Sequence, residues 1–265
     1  MSTTDTKPIP VQAPPRRGRR HPVRNGIILL VVLVGLLAVA AVVGDRAFRS
    51  NAEAQIAQGV EQSLPKGVTG TVHAKVLGVS AIQQWLSGSF DQVDLTTRDL
   101  KVLGAPADAH VVARGLPVSG TGTIRSATGT LTVGQAAIDR LAPVAAADAG
   151  RPKLGNGTVS TSLQRTVLGL PITVDVTLKP SVQGSSIHLA PTEARLRSGA
   201  ISVPGTALIQ TLLPNGISVC TAKYLPPGVR LTSLEPHRGS VRLGIAARNL
   251  DLEALQRGDH GSCPS

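Results

Sequence analysis

Hydrophobic and polar positions along this chain follow three regimes. From Gly26 to Gly44, "GIILLVVLVGLLAVAAVVG", there is no polar period at all, and the run is about the length that crosses a hydrocarbon core as a helix. From Asp45 to Leu64 the period becomes helical: Ala52, Ile56, Val60 and Leu64 recur at fourfold spacing until Pro65 and Gly67 end the pattern. Beyond that the period falls to two. Val68, Gly70, Val72, Ala74 and Val76 alternate with Thr69, Thr71, His73 and Lys75, as in a sheet with one buried face.

The same alternation returns at Ile172, Val174, Val176 and Leu178, and again at Val241, Leu243, Ile245 and Ala247. Weaker alternation predicts strands over residues 92–103, 108–114, 118–125, 158–168 and 185–189, with Gly and Pro between them as turns. Two helices interrupt the series. One is predicted near 134–146, with Ile138, Leu141 and Val144 on one side, and one near 204–213, with Leu208, Leu212 and Leu213 inside it. The expected fold class is α+β: a transmembrane helix, then a mostly antiparallel curved sheet with a few packed helices. Such a sheet is able to enclose an apolar groove.

Charge gives the apolar run a direction. Arg16, Arg17, Arg19, Arg20 and Arg24 precede it, so residues 1–25 are expected to stay in the cytoplasm as a basic, disordered tail and everything after Asp45 to lie outside. The small residues Ala38–Ala41 also suit a cleaved secretory signal, but signal cores usually run shorter, so an uncleaved anchor over 26–44 is expected. Residues 45–255 then form one extracytoplasmic domain, with 256–265 as a C-terminal tail. The localisation expected is a single-pass cell-membrane protein.

The net charge of +11 does not imply nucleic acid. Much of it sits in the tail, an exported domain meets no genome, and 2% aromatics leave no stacking platform. Anionic headgroups are the more economical partner. Cys220 and Cys263 are the only cysteines, and an even pair in an oxidising compartment predicts a disulfide that ties the tail to the body.

Catalytic signatures are missing: there is no G-x-S-x-G, H-E-x-x-H, P-loop or G-x-G-x-x-G. Ser63–Lys66 matches S-x-x-K without companion motifs, His73, His110, His188, His237 and His260 are scattered singly, and Asp91, Asp94 and Asp99 lack the spacing of an acid–base pair. Asn156-Gly157-Thr158 reads as a turn. No enzyme, cofactor or metal site is expected.

Four stretches carry a resemblance: "AEAQIAQGVEQSL", "WLSGSFDQVDL", "LGLPITVDVTLKPSV", and "LPPGVRLTSL" followed by "GSVRLGIAARNLDL". In order and pattern the chain resembles the LmeA-like phospholipid-binding envelope proteins of actinobacteria over most of residues 45–255. The resemblance implies a lipid binder facing the cell wall, handling anionic, phosphatidylinositol-type phospholipid and supporting envelope glycolipid maturation. Family members are often secreted or lipid-attached, and the long basic tail departs from that pattern. A non-catalytic scaffold for other envelope proteins is the competing function.

The opening stretch holds the only tryptophan. Ile82, Trp85 and Leu86 share one helical face and Phe90 follows through Gly88, so the four are candidates to lie against acyl chains or a bilayer surface. They serve equally as a plug for the end of the sheet's core.

Overall fold

The structure, a computed structural model, describes residues 22–145, 150–167, 170–199, 201–207 and 215–263. It opens on one helix, α1 (Pro22–Gln62), and the chain divides within it into two units, residues 1–44 and residues 45–265. Most of the expected basic tail lies outside the described residues, as do the side chains of residues 22–31. Among the described residues no helix is long and apolar enough to cross a membrane, so a span over 26–44 is not shown. Within that run, Val32, Leu36, Leu37 and Val43 are all exposed.

In the second unit, α1 closes the edge of a sheet. Strand β1 (Val68–Leu77) is an edge strand, and an edge leaves backbone groups unpaired. Helix carboxylates take two of them: Glu53 accepts from the Val76 N–H at 2.8 Å and Glu61 from the Val72 N–H at 2.6 Å. The predicted helix ends where expected, one turn before Gly67.

Beside β1 lie β2 (Ser89–Val102), β3 (Ala105–Pro117) and β4 (Thr123–Gly134), then β12 (Ser240–Asp251) and β11 (Val229–His237), all antiparallel neighbours in that order. One face of this first sheet carries the core. Val76 and Val93 are fully buried with Phe90 beside them, and Ala52 and Ile56 of α1 pack over the three. Helix α3 (Gln135–Ala145) seats Ala137 and Ile138 on Val133 and Val241. Leu252 and Leu255, on the short C-terminal helix α4 (Leu252–Arg257), close the far end against Ile124, Ala247 and Leu250.

The second sheet runs β10 (Ile217–Cys220), β8 (Ser186–Ser198), β7 (Leu170–Gln183), β6 (Val159–Val167) and β5 (Lys153–Leu154), with β9 (Ile201–Pro204) paired to β8. The alternation noted at Ile172–Leu178 continues into its neighbours: Val174, Val176 and Leu178 lie opposite Leu196, Ala194 and Pro191 of β8. On the other face Asp175 accepts from Ser162 at 2.6 Å and holds Arg197 at 2.6 Å, which keeps its carboxyl below the usual range, chiefly through Arg197.

The two sheets join in two places. At a seam between β7 and β11, Gly157 donates its N–H to the Pro236 carbonyl at 2.8 Å and Arg238 donates its N–H to the Asn156 side chain at 3.3 Å. At the other, Cys220 of β10 is bonded to Cys263, as its even count implied.

The α+β, antiparallel reading therefore holds, with two open sheets where one was expected. The strand predicted over 118–125 is corrected: residues between Pro117 and Thr123 turn, with Gly120 and Gly122 at φ of 72° and 93°. Of the helix expected over 204–213, Thr206 and Ala207 are helical and 208–214 lie outside the described residues; the side chains of Leu141 and Val144 do so too.

Candidate functional site

Between β1 and β2 the chain makes one short helix, α2 (Ala81–Leu86), and its mounting begins with sequence chemistry. Ser80 is the N-cap, and its hydroxyl accepts from the Gln83 N–H at 3.1 Å. That hydroxyl donates in turn to Asp45 at 2.7 Å, and the same carboxylate oxygen accepts from the Ile82 N–H at 3.0 Å. One turn along α1, Arg49 pairs with Asp45 at 3.3 Å and reaches the carbonyls of Val76, Gly78 and Val79 at 2.6, 3.1 and 3.3 Å. The Ile82 N–H first, then the Ser80 hydroxyl and Arg49, hold the Asp45 carboxyl below the ordinary carboxylate range.

Gln84 fixes the other side of the turn. It is 5% exposed, and its amide donates to the Leu77 carbonyl at 3.1 Å while accepting from the Asp91 N–H at 2.7 Å. Gly78 makes room for it: at φ of 118°, a Cβ there would stand 2.4 Å from Gln84 Nε2. A buried amide with both ends satisfied locks α2 onto the end of the sheet.

What this mounting presents is apolar. Val79 is 96% exposed, Leu86 74%, Trp85 49% and Ile82 36%. Trp85 meets Phe48 of α1 edge to face, with centroids 5.9 Å apart. Of the four residues singled out from sequence, the structure brings Ile82, Trp85 and Leu86 together at the surface and sets Phe90, 4% exposed, in the core cluster beneath. Sequence reading missed Val79 and Phe48, which join the apolar turn, and the anchoring trio Asp45, Arg49 and Gln84. The Asp45–Arg49 spacing of four on a helix was the available signal.

A second feature lies at the seam of the two sheets. A cavity of about 400 Å³ is lined by apolar Pro180, Leu234 and Pro236 and by polar Asn156, Lys179, Glu235 and His237. Lys179 and Pro180 are free to meet β11 there because β6 reaches only as far as Val159, opposite Leu178. Among the described residues no three His, Cys, Asp or Glu side chains converge as a metal site. His188 bonds Ser218 at 3.2 Å across β8 and β10, and Asn156-Gly157 forms the expected turn, with Gly157 at φ of 71°.

A rigidly held, exposed apolar turn and an amphipathic cavity are the equipment of a protein that meets amphiphiles. The model of the LmeA-like phospholipid-binding family matches residues 43–246, and the chain belongs to that family. No curated protein and no solved structure matches it.

Proposed function

We propose that this protein is a membrane-anchored, extracytoplasmic phospholipid-binding or lipid-transfer protein that supports envelope lipid or glycolipid biogenesis. Family membership supports the lipid, and the apolar turn of α2 is the observation that carries the reading. Exposed aliphatic side chains and an amphipathic indole on a mount this well hydrogen-bonded are suited to the headgroup boundary of a bilayer. The uninterrupted run over 26–44 and the arginines before it support a single span with the N-terminus in the cytoplasm. The positive net charge favours anionic lipid, phosphatidylinositol-type included. The family is one of binding rather than catalysis.

The test uses the full chain held in phosphatidylcholine nanodiscs and challenged with phosphatidylglycerol vesicles. The nanodiscs are expected to float with anionic vesicles and not with neutral ones, and the single tryptophan's emission to shift to the blue. Native mass spectrometry of the purified chain is expected to show a retained phospholipid. A chain that neither floats nor retains lipid ends this reading and leaves the scaffold, which the same exposed turn would serve.

A further inference from the structure

The first sheet spends its apolar face on a core, whereas the second does not. All three clusters of buried apolar side chains are built on strands β1–β4, β11 and β12. Yet β7 offers an unbroken apolar row from Ile172 to Val182, with the apolar residues of β8 opposite it in register. Of these strands' aliphatic side chains only Val176 and Ala194 are buried, and at the margin Val203, Ile217 and Val219 stay exposed at 48%, 42% and 39%. Among the described residues no helix packs on this face. An apolar face of such breadth marks a binding surface.

We infer that this face binds the acyl chain of a phospholipid, with the polar end of the molecule at the seam cavity. The inference rests on the lipid reading and names its site. Three observations commit the face to this occupant. The row from Ile172 to Val182 is roughly 33 Å long at about 3.3 Å per residue, which accommodates an acyl chain of about 15 Å, half of a bilayer's hydrocarbon core. Its side chains are aliphatic and offer no hydrogen-bonding group at Val174, Val176 or Leu178, which suits hydrocarbon and gives a peptide backbone nothing to pair with on the face. Along the same row, Pro180 opens into the cavity whose other walls include Lys179 and Asn156, a cation and an amide for a phosphodiester. The family match over residues 43–246 takes in all of these strands.

The probe is phosphatidylglycerol carrying a photoreactive diazirine in one acyl chain, delivered in vesicles to the full chain in phosphatidylcholine nanodiscs. After irradiation, mass spectrometry of the digested protein is expected to place the adducts within residues 172–182, 187–196 and 217–219. Ile217→Asp and Val203→Asp, both at exposed positions that leave the fold intact, are expected to cut adduct yield at least tenfold while flotation with anionic vesicles is unchanged. Adducts confined to residues 79–86 overturn the inference and leave lipid binding standing. Retained lipid without adducts on the face overturns it too, since the chain's own segment 208–214 or a protein partner would then cover the sheet. Absence of both retained lipid and flotation fails the lipid reading itself.

Discussion

Trp85 and Phe90 stand five residues apart and answer to different forces. Phe90 is packed among Val76, Val93, Ala52 and Ile56, so Phe90→Ala removes a buried ring and leaves a cavity; it is expected to cost about 3–5 kcal/mol, read as a lowered denaturation midpoint. Trp85 is half exposed and touches one ring, Phe48. Trp85→Ala is therefore expected to leave the midpoint within about 1 kcal/mol of the parent and to abolish flotation with anionic vesicles. The reverse pattern, a stable Phe90 variant and an unfolded Trp85 variant, would dismiss the division of labour drawn between them. The sequence placed both residues on one apolar stretch. It left their division open because the strand that follows Gly88 turns Phe90 inward, a change of direction that helical spacing does not encode.

At the scale of the element, α2 depends on a carboxylate rather than on its own six residues. Asp45 is held below the ordinary carboxylate range by bonds that exist only in the folded state, so it contributes stability fully above about pH 4, the value for an unperturbed aspartate. That contribution is lost as pH falls through the lower, folded-state value. Acidification is expected to release the α2 turn and change Trp85 emission in that range, and Asp45→Asn, which removes the titrating group, is expected to erase this step. A profile identical in parent and variant would show that Asp45 does not set the step. Periodicity read the strands with a clean solvent face well, as with β1 and the middle of β7. It failed where the ladder is irregular: β11 shifts register between Leu231 and Ser233, and β8 shifts against β7 at Thr177 and Leu178, so alternation broke and β8 was recognised only at its start. In β4 the core-facing positions include Ala127 and Gly129, too small to register as apolar. Gly129 is small for a reason, since a Cβ there would come within 2.9 Å of Val111 and 3.2 Å of Ile245.

Across the folded unit formed by residues 45–265, the two sheets depend on a few ties, and the Cys220–Cys263 bond is the covalent one. Cys220 ends β10, the margin of the second sheet, while Cys263 follows α4, whose Leu252 and Leu255 are packed into the first sheet's core. The bond closes 43 residues of chain, enough to contribute about 2–4 kcal/mol by restricting the unfolded state. Its position adds a second effect, because β10 carries Ile217 and Val219 at the edge of the apolar face and reaches the rest of the sheet through β8 alone. Reduction is expected to lower the melting temperature by several degrees and, in the same sample, to reduce the yield of acyl-chain adducts on 217–219 more than that on 172–182. Flotation through α2, at the far side of the first sheet, is expected to survive. Two free thiols titrated in the native, non-reduced protein would remove the tie altogether, and equal loss of adducts from both strands would mean that reduction loosens the whole sheet rather than its margin.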